Sequence, residues 1–334
     1  MLSIMTNGSP DLTGFPYHRM GPRTGRHRWW RPVLGALLFF PSWLVLVLLL
    51  YALSYALGTA AGYPELADGS VDLGPLRNTA LDLTYIAVAL PLILLAVRWP
   101  ERRPAGTLSS VTGRLRMRWL ARCLLAALLP VALLALTIVF LPDDGAASGE
   151  PAAWVGWGPF LTALAVLAVL VPVQAAAEEY VFRGWLTQAV GAFLRSPWLA
   201  VLPQAALFAA AHGWGTTWGF IDLLLFGVVA GWLTIRTGGL EAAVALHALN
   251  NLLAFGFSAA LVDGLSSDDT AADAPWQLAL ADMATVLIYA AIVLRVARRH
   301  RPQRLAPALA AATATRPESS AADANSLDPD RSRG

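Results

Sequence analysis

The chain has 334 residues, 57% of them hydrophobic and 14% charged, with a formal net charge of +2. A soluble globule of that composition would lack the polar surface to cover itself, and so small a net charge does not point to a nucleic-acid partner. The single Cys123 excludes an internal disulfide, a thiolate zinc cluster and a CxxC redox pair.

In chain order, residues 1–30 read as a basic cytoplasmic N-terminal tail without an apolar signal-peptide region, with Trp29 and Trp30 at the membrane interface. A membrane domain follows over 31–300. A spanning helix needs roughly 20 mainly apolar residues, and eight segments approach that: 34–58, 79–97, 119–141, 159–181, 199–213, 218–236, 240–262 and 277–296. The fifth is short. Pro41, Pro91, Pro130, Pro172 and Pro203 fall inside these segments, where they are expected to kink helices rather than end them. The fold class is therefore an all-α polytopic membrane helix bundle. Residues 301–334, rich in Ala, Pro, Ser and Asp, read as a disordered cytoplasmic tail.

Charge in the loops sets orientation. Arginines precede the first span (Arg19, Arg23, Arg26, Arg28, Arg31), join the second to the third (Arg98, Arg102, Arg103, Arg114, Arg116, Arg118) and follow the last (Arg298, Arg299, Arg301, Arg304). Glu65, Asp68, Asp72, Asp143, Asp144, Glu150, Asp263, Asp268, Asp269 and Asp273 occupy the opposite loops. Arginine marks the cytoplasmic side, so both termini are expected inside, as an even span count requires. Every basic residue is Arg and Ala is abundant, which points to a GC-rich bacterial source and hence a multi-pass plasma-membrane protein.

Ionisable residues inside a bilayer are costly and mark function by default. Glu178-Glu179-Tyr180-Val181-Phe182-Arg183 stands at the end of the fourth span, His212 ends the fifth, and His247 and Asn251 share one face of the seventh. Glu179 and Arg183, four apart, are expected to pair, which frees Glu178 to act. A shielded glutamate suits a general base, and Asn or His can donate to an oxyanion. The bland reading is a set of interfacial glutamates and interhelical hydrogen bonds. Glu178, His212 and His247 could instead hold a divalent metal such as zinc, although no HExxH is present. By helix rise, His212 would stand some 20 Å above the cytoplasmic end of its span, while Glu178 and His247 lie nearer that end. Their convergence is a geometric demand.

These residues resemble the type II CAAX prenyl endopeptidase and bacteriocin-processing (CPBP, or ABI) family. Glu178-Glu179-xxx-Arg183 is similar to its EExxxR motif, Phe208-xxx-His212 to FxxxH and His247-xxx-Asn251 to HxxxN, over a core of 157–256. The resemblance implies an intramembrane endopeptidase acting on a membrane-associated protein or peptide, of metallo- or glutamate type. It implies that Glu178 and His212 activate water, that His247 and Asn251 stabilise the oxyanion, and that Glu179 and Arg183 hold the site together. A non-catalytic membrane scaffold or bacteriocin-immunity-type protein on the same fold is the alternative. A proton-coupled transporter would also suit the intramembrane charges, but no repeat relates the two halves.

Two weaker features remain. Gly227 and Gly231 form a GxxxG expected to pack helices within the chain, and Asp82, Asp222 and Asp282 are expected to make helix-terminal or interhelical polar contacts.

Overall fold

The computed structural model describes residues 14–67, 69–140, 153–267 and 269–307. Asp68, Asp143, Asp144, Glu150 and Asp268 lie outside these residues, as do the ends of both expected tails.

Among the described residues eight apolar helices follow one another: α1 Trp30–Ala60, α2 Pro75–Arg98, α3 Met117–Phe140, α4 Trp157–Phe193, α5 Pro197–Ala211, α6 Thr217–Thr237, α7 Glu241–Ala260 and α8 Trp276–His300. All but α5 are long and apolar enough to cross a membrane. Lipid offers no partner for backbone N–H or C=O, so the apolar runs close their hydrogen bonds within helices. Pro41, Pro130, Pro172 and Pro203 lie inside helices. In α2 the helix is interrupted at Val88, next to Ala87, whose carbonyl Pro91 cannot engage.

The fourth helix is longer than hydropathy indicates. It runs as α-helix over Trp157–Glu179, opens to a π-helix over Tyr180–Leu186, and closes again over Thr187–Phe193. A short link then leads into α5. The 14 residues from Tyr180 to Phe193 descend roughly 20 Å below Glu179, and the 15 of α5 climb back about 22 Å. His212 caps α5, so this reversal returns it to the level of Glu179.

Small residues let helices approach closely. A Cβ on Gly227 would stand 2.8 Å from the Ala205 backbone, and one on Gly231 would stand 2.6 Å from Gln204 Nε2. The GxxxG thus seats α6 against α5 of the same chain, where Gln204 also donates to the Gly227 carbonyl at 2.9 Å. In α7, Ala242, Ala243 and Ala245 are fully buried. Asn250 on α7 donates to Asp282 on α8 at 3.2 Å, an interhelical contact of the expected kind. Trp154, Trp157, Trp214, Trp218 and Trp276 are exposed near helix ends, as an aromatic belt requires.

The arginine-rich ends pack more tightly than a charged loop or tail suggests. Strand β1, Gly14–Pro16, pairs antiparallel with β2, Leu305–Pro307, with Phe15 opposite Ala306. Tyr17 and Met20 behind β1 are fully buried, and the Tyr17 hydroxyl donates to the Leu108 carbonyl. His18 Nε2 lies 3.1 Å from the Arg195 carbonyl. Composition alone assigns 14–23 and 305–307 to tails; in the structure they clasp each other over the end of α4. The loop after α2 also folds inward. Arg103 is buried, bonded to Glu101 at 2.7 Å and to Thr107 at 2.9 Å, and Trp185 of the π-helix donates to Glu101 at 2.7 Å.

Candidate active site

Four helices supply the site. From α4 come Glu178, Glu179 and Arg183, from α5 Phe208 and His212, from α6 Phe226, and from α7 His247 and Asn251. The π-helix begins at Tyr180, directly after the glutamates. Its wider turn changes the direction of the residues that follow, a distortion that recurs at functional positions in helices.

His247 is the centre. Its Nδ1 is 2.7 Å from Glu179 Oε1, and its Nε2 is 3.4 Å from Glu178 Oε2. Glu179 is fully buried and also faces Arg183, whose guanidinium nitrogen stands 3.1 Å away. The distance makes this an ion pair, but the alignment is poor for a hydrogen bond, and the guanidinium nitrogens make none. Instead the Arg183 guanidinium carbon stands over the Phe208 ring, 3.9 Å from its centroid, with Phe226 at 5.3 Å. A cation–π contact of this kind suits a weakly hydrated guanidinium. Phe208 and Phe226 also meet His247 edge-on, at 5.9 and 5.2 Å. Two carboxylates, a guanidinium and an imidazole therefore share one aromatic-walled pocket. Glu178 is the partly exposed carboxylate, and its buried Oε2 accepts no hydrogen bond among the described residues.

The other two expected residues are placed differently. The ring of His212 packs on Phe208 with centroids 4.6 Å apart, and its Nδ1 is 2.9 Å from the Phe208 carbonyl. No hydrogen bond joins it to Glu178 or His247 among the described residues, but both imidazoles contact the same phenyl ring. Asn251 donates through Nδ2 to Gln174 Oε1 at 3.1 Å.

Sequence reasoning missed Gln174 and Phe226. Gln174 is buried one turn before Glu178; as an amide inside an apolar run, it could have been found by the argument from burial cost that found the glutamates. Phe226 carries no such mark among the many apolar residues of its helix.

As the side chains are placed, no three His, Cys, Asp or Glu residues among the described residues gather in a group that could hold a metal ion; His212 turns Nδ1 to the Phe208 carbonyl, while His247 keeps its Nε2 edge toward Glu178.

Comparison with known proteins agrees with the motifs. Residues 159–253 match the family described as type II CAAX prenyl endopeptidase Rce1-like, so the resemblance holds for the helices that carry the site. The chain is 32% identical over 192 residues to the uncharacterized protein YyaK of Bacillus subtilis (strain 168). That match covers 55% of this chain and 62% of YyaK, so the chain spans less than two thirds of the curated relative it matches. No solved structure matches it.

Proposed function

We propose that the chain is an intramembrane endopeptidase that hydrolyses a peptide bond of a membrane-associated protein or peptide, and that it works in a bacterial plasma membrane with both termini in the cytoplasm. One observation above all supports this: the His247 imidazole is held between Glu178 and Glu179 within the stretch that matches the Rce1-like family.

Glu178 is the general base. It takes a proton from water as the water oxygen bonds to the scissile carbonyl carbon, and His212 orients that water. The developing oxyanion is met by His247 and Asn251. Glu179 engages Nδ1, which leaves the Nε2 edge of His247 for chemistry. Donation from that edge uses a proton that stays on Nε2 throughout; Glu178, 3.4 Å away, keeps the one proton it takes from water until the amine leaves. As the intermediate collapses, the C–N bond breaks and the amine leaves with a proton from Glu178. Glu179 and Arg183 touch no reacting atom; they hold the imidazole in place.

The test uses full-length protein in proteoliposomes with membrane-anchored fluorogenic peptides. Glu178→Ala and His212→Ala are each expected to abolish cleavage while melting within a few degrees of wild type. Full activity in both would sink the proposal. A biological activity that survives the isosteric Glu178→Gln would favour the scaffold alternative.

A further inference from the structure

We propose that the arginine cleft at the end of α8 binds the phosphate headgroup of an anionic phospholipid. The cleft, about 710 Å³ in volume, lies between the last turn of α8 and the approach to β2, with Arg298, Arg301, Gln303, Arg304 and Leu305 among its walls.

The ordinary reasons for arginine here cover only part of the set. Cations in a last helical turn offset the helix dipole, and arginine gathers on the cytoplasmic side of spans; both account for Arg298 and Arg299. Arg301 and Arg304 lie beyond the helix. Arg301 ends the helix at φ 46°, a left-handed position that usually falls to glycine, and it brings a guanidinium to the cleft where glycine would bring nothing.

The walls are fixed. Arg116 donates to the Gln303 carbonyl at 2.8 Å. Gly238 lies so close that a Cβ on it would stand 2.5 Å from that same oxygen, and β2 is tied to β1. None of Arg298, Arg301 and Arg304 makes an ion pair among the described residues. Glu241, at the start of α7, is already held by Arg116 at 2.7 and 2.8 Å. Three guanidiniums without an ion pair among the described residues, around one fixed cleft, suit a phosphodiester, because their planar forks match phosphate oxygens. The apolar wall given by the partly exposed Leu305 favours a lipid over a free anion, since a glycerol backbone can lie where phosphate alone would bury apolar surface without using it. The end of a spanning helix also places the cleft at headgroup depth.

Full-length protein in neutral detergent is titrated with dioctanoyl phosphatidylglycerol, dioctanoyl phosphatidylcholine or inorganic phosphate, with affinity read by native mass spectrometry and by thermal shift. Phosphatidylglycerol is expected to bind best. An arginine at an anionic membrane surface contributes roughly fivefold, so Arg298→Gln/Arg301→Gln/Arg304→Gln together should cost about 100-fold. The control Arg28→Gln/Arg98→Gln/Arg102→Gln removes equal charge from other exposed sites and should cost little. Arg301→Gly tolerates the left-handed backbone and should fold even where the triple variant does not, with a loss of about fivefold. The proposal is overturned if phosphatidylglycerol binds the cleft variants like wild type, if both triples lose equally, or if phosphate or phosphatidylcholine binds as tightly. Proteolysis is read in no arm, so this outcome is independent of the proposed reaction.

Discussion

Replacing Glu179 with Gln keeps the shape of the side chain and removes one charge from a fully buried position. Arg183 and Glu179 are both fully buried, with charged atoms 3.1 Å apart. At an effective dielectric of about 20, that separation corresponds to roughly 5 kcal/mol of attraction, and removing one member of a buried pair ordinarily costs about 3–5 kcal/mol. The two figures agree, so Glu179→Gln is expected to lose about 3–5 kcal/mol, because the Arg183 guanidinium has only Phe208, Phe226 and Glu178 left to face. If the uncompensated charge is the cause, removing it should restore stability. Arg183→Met keeps a flexible apolar side chain against the two rings, and Glu179→Gln/Arg183→Met is expected to recover at least half of the loss. The assay is reversible unfolding in mixed micelles titrated with sodium dodecyl sulfate, followed by tryptophan fluorescence, with the four proteins analysed as a double-mutant cycle. A Glu179→Gln variant within about 1 kcal/mol of wild type would refute the reasoning, as would two losses that simply add.

Three further outcomes follow from other contacts. Gln174→Leu should cost about 1–3 kcal/mol by leaving the Asn251 amide without its acceptor; if that amide meets the oxyanion, kcat should fall at least tenfold with KM little changed, and Gln174→Glu should restore much of it. Gly227→Leu should destabilise the bundle by at least about 1–3 kcal/mol, since even a Cβ there meets the Ala205 backbone at 2.8 Å, while gel filtration shows the oligomeric state unchanged. Burial is the main cause that lowers the His18 pKa below its ordinary value of 6.5, so the folded clasp favours the neutral ring. Its contribution is present above pH 6.5 and declines as pH falls below 6.5 toward the lowered folded value. Hydrogen exchange at residues 14–23 should accelerate over that interval, and His18→Phe should remove the pH dependence.

What the sequence discloses here follows the cost of burial. A charge in lipid needs a reason, so Glu178, Glu179, Arg183, His212 and His247 stand out of the apolar runs at once, and the helices stand out because lipid permits little else. Burial cost also identifies Gln174, once an amide is weighed like a charge. It does not identify Phe226, which is one apolar residue among many until the fold stacks it near Arg183. Length was the harder quantity. Hydropathy ends the fourth span near Val181, but Tyr180, Arg183, Thr187 and Gln188 are all buried and the helix continues to Phe193. Those residues are polar because they face protein: Tyr180 meets Ser109 at 2.7 Å, and Gln188 donates to the Thr107 carbonyl at 2.8 Å. A hydropathy window reads such a stretch as solvated loop, since it scores what a side chain is and not what it touches. The depth of His212 follows from the length of that helix. Once the helix runs on to Phe193, α5 must start far below the glutamates to bring His212 level with them, and the inward-folded loop with the clasp of β1 and β2 is what makes so long a descent a protein interior.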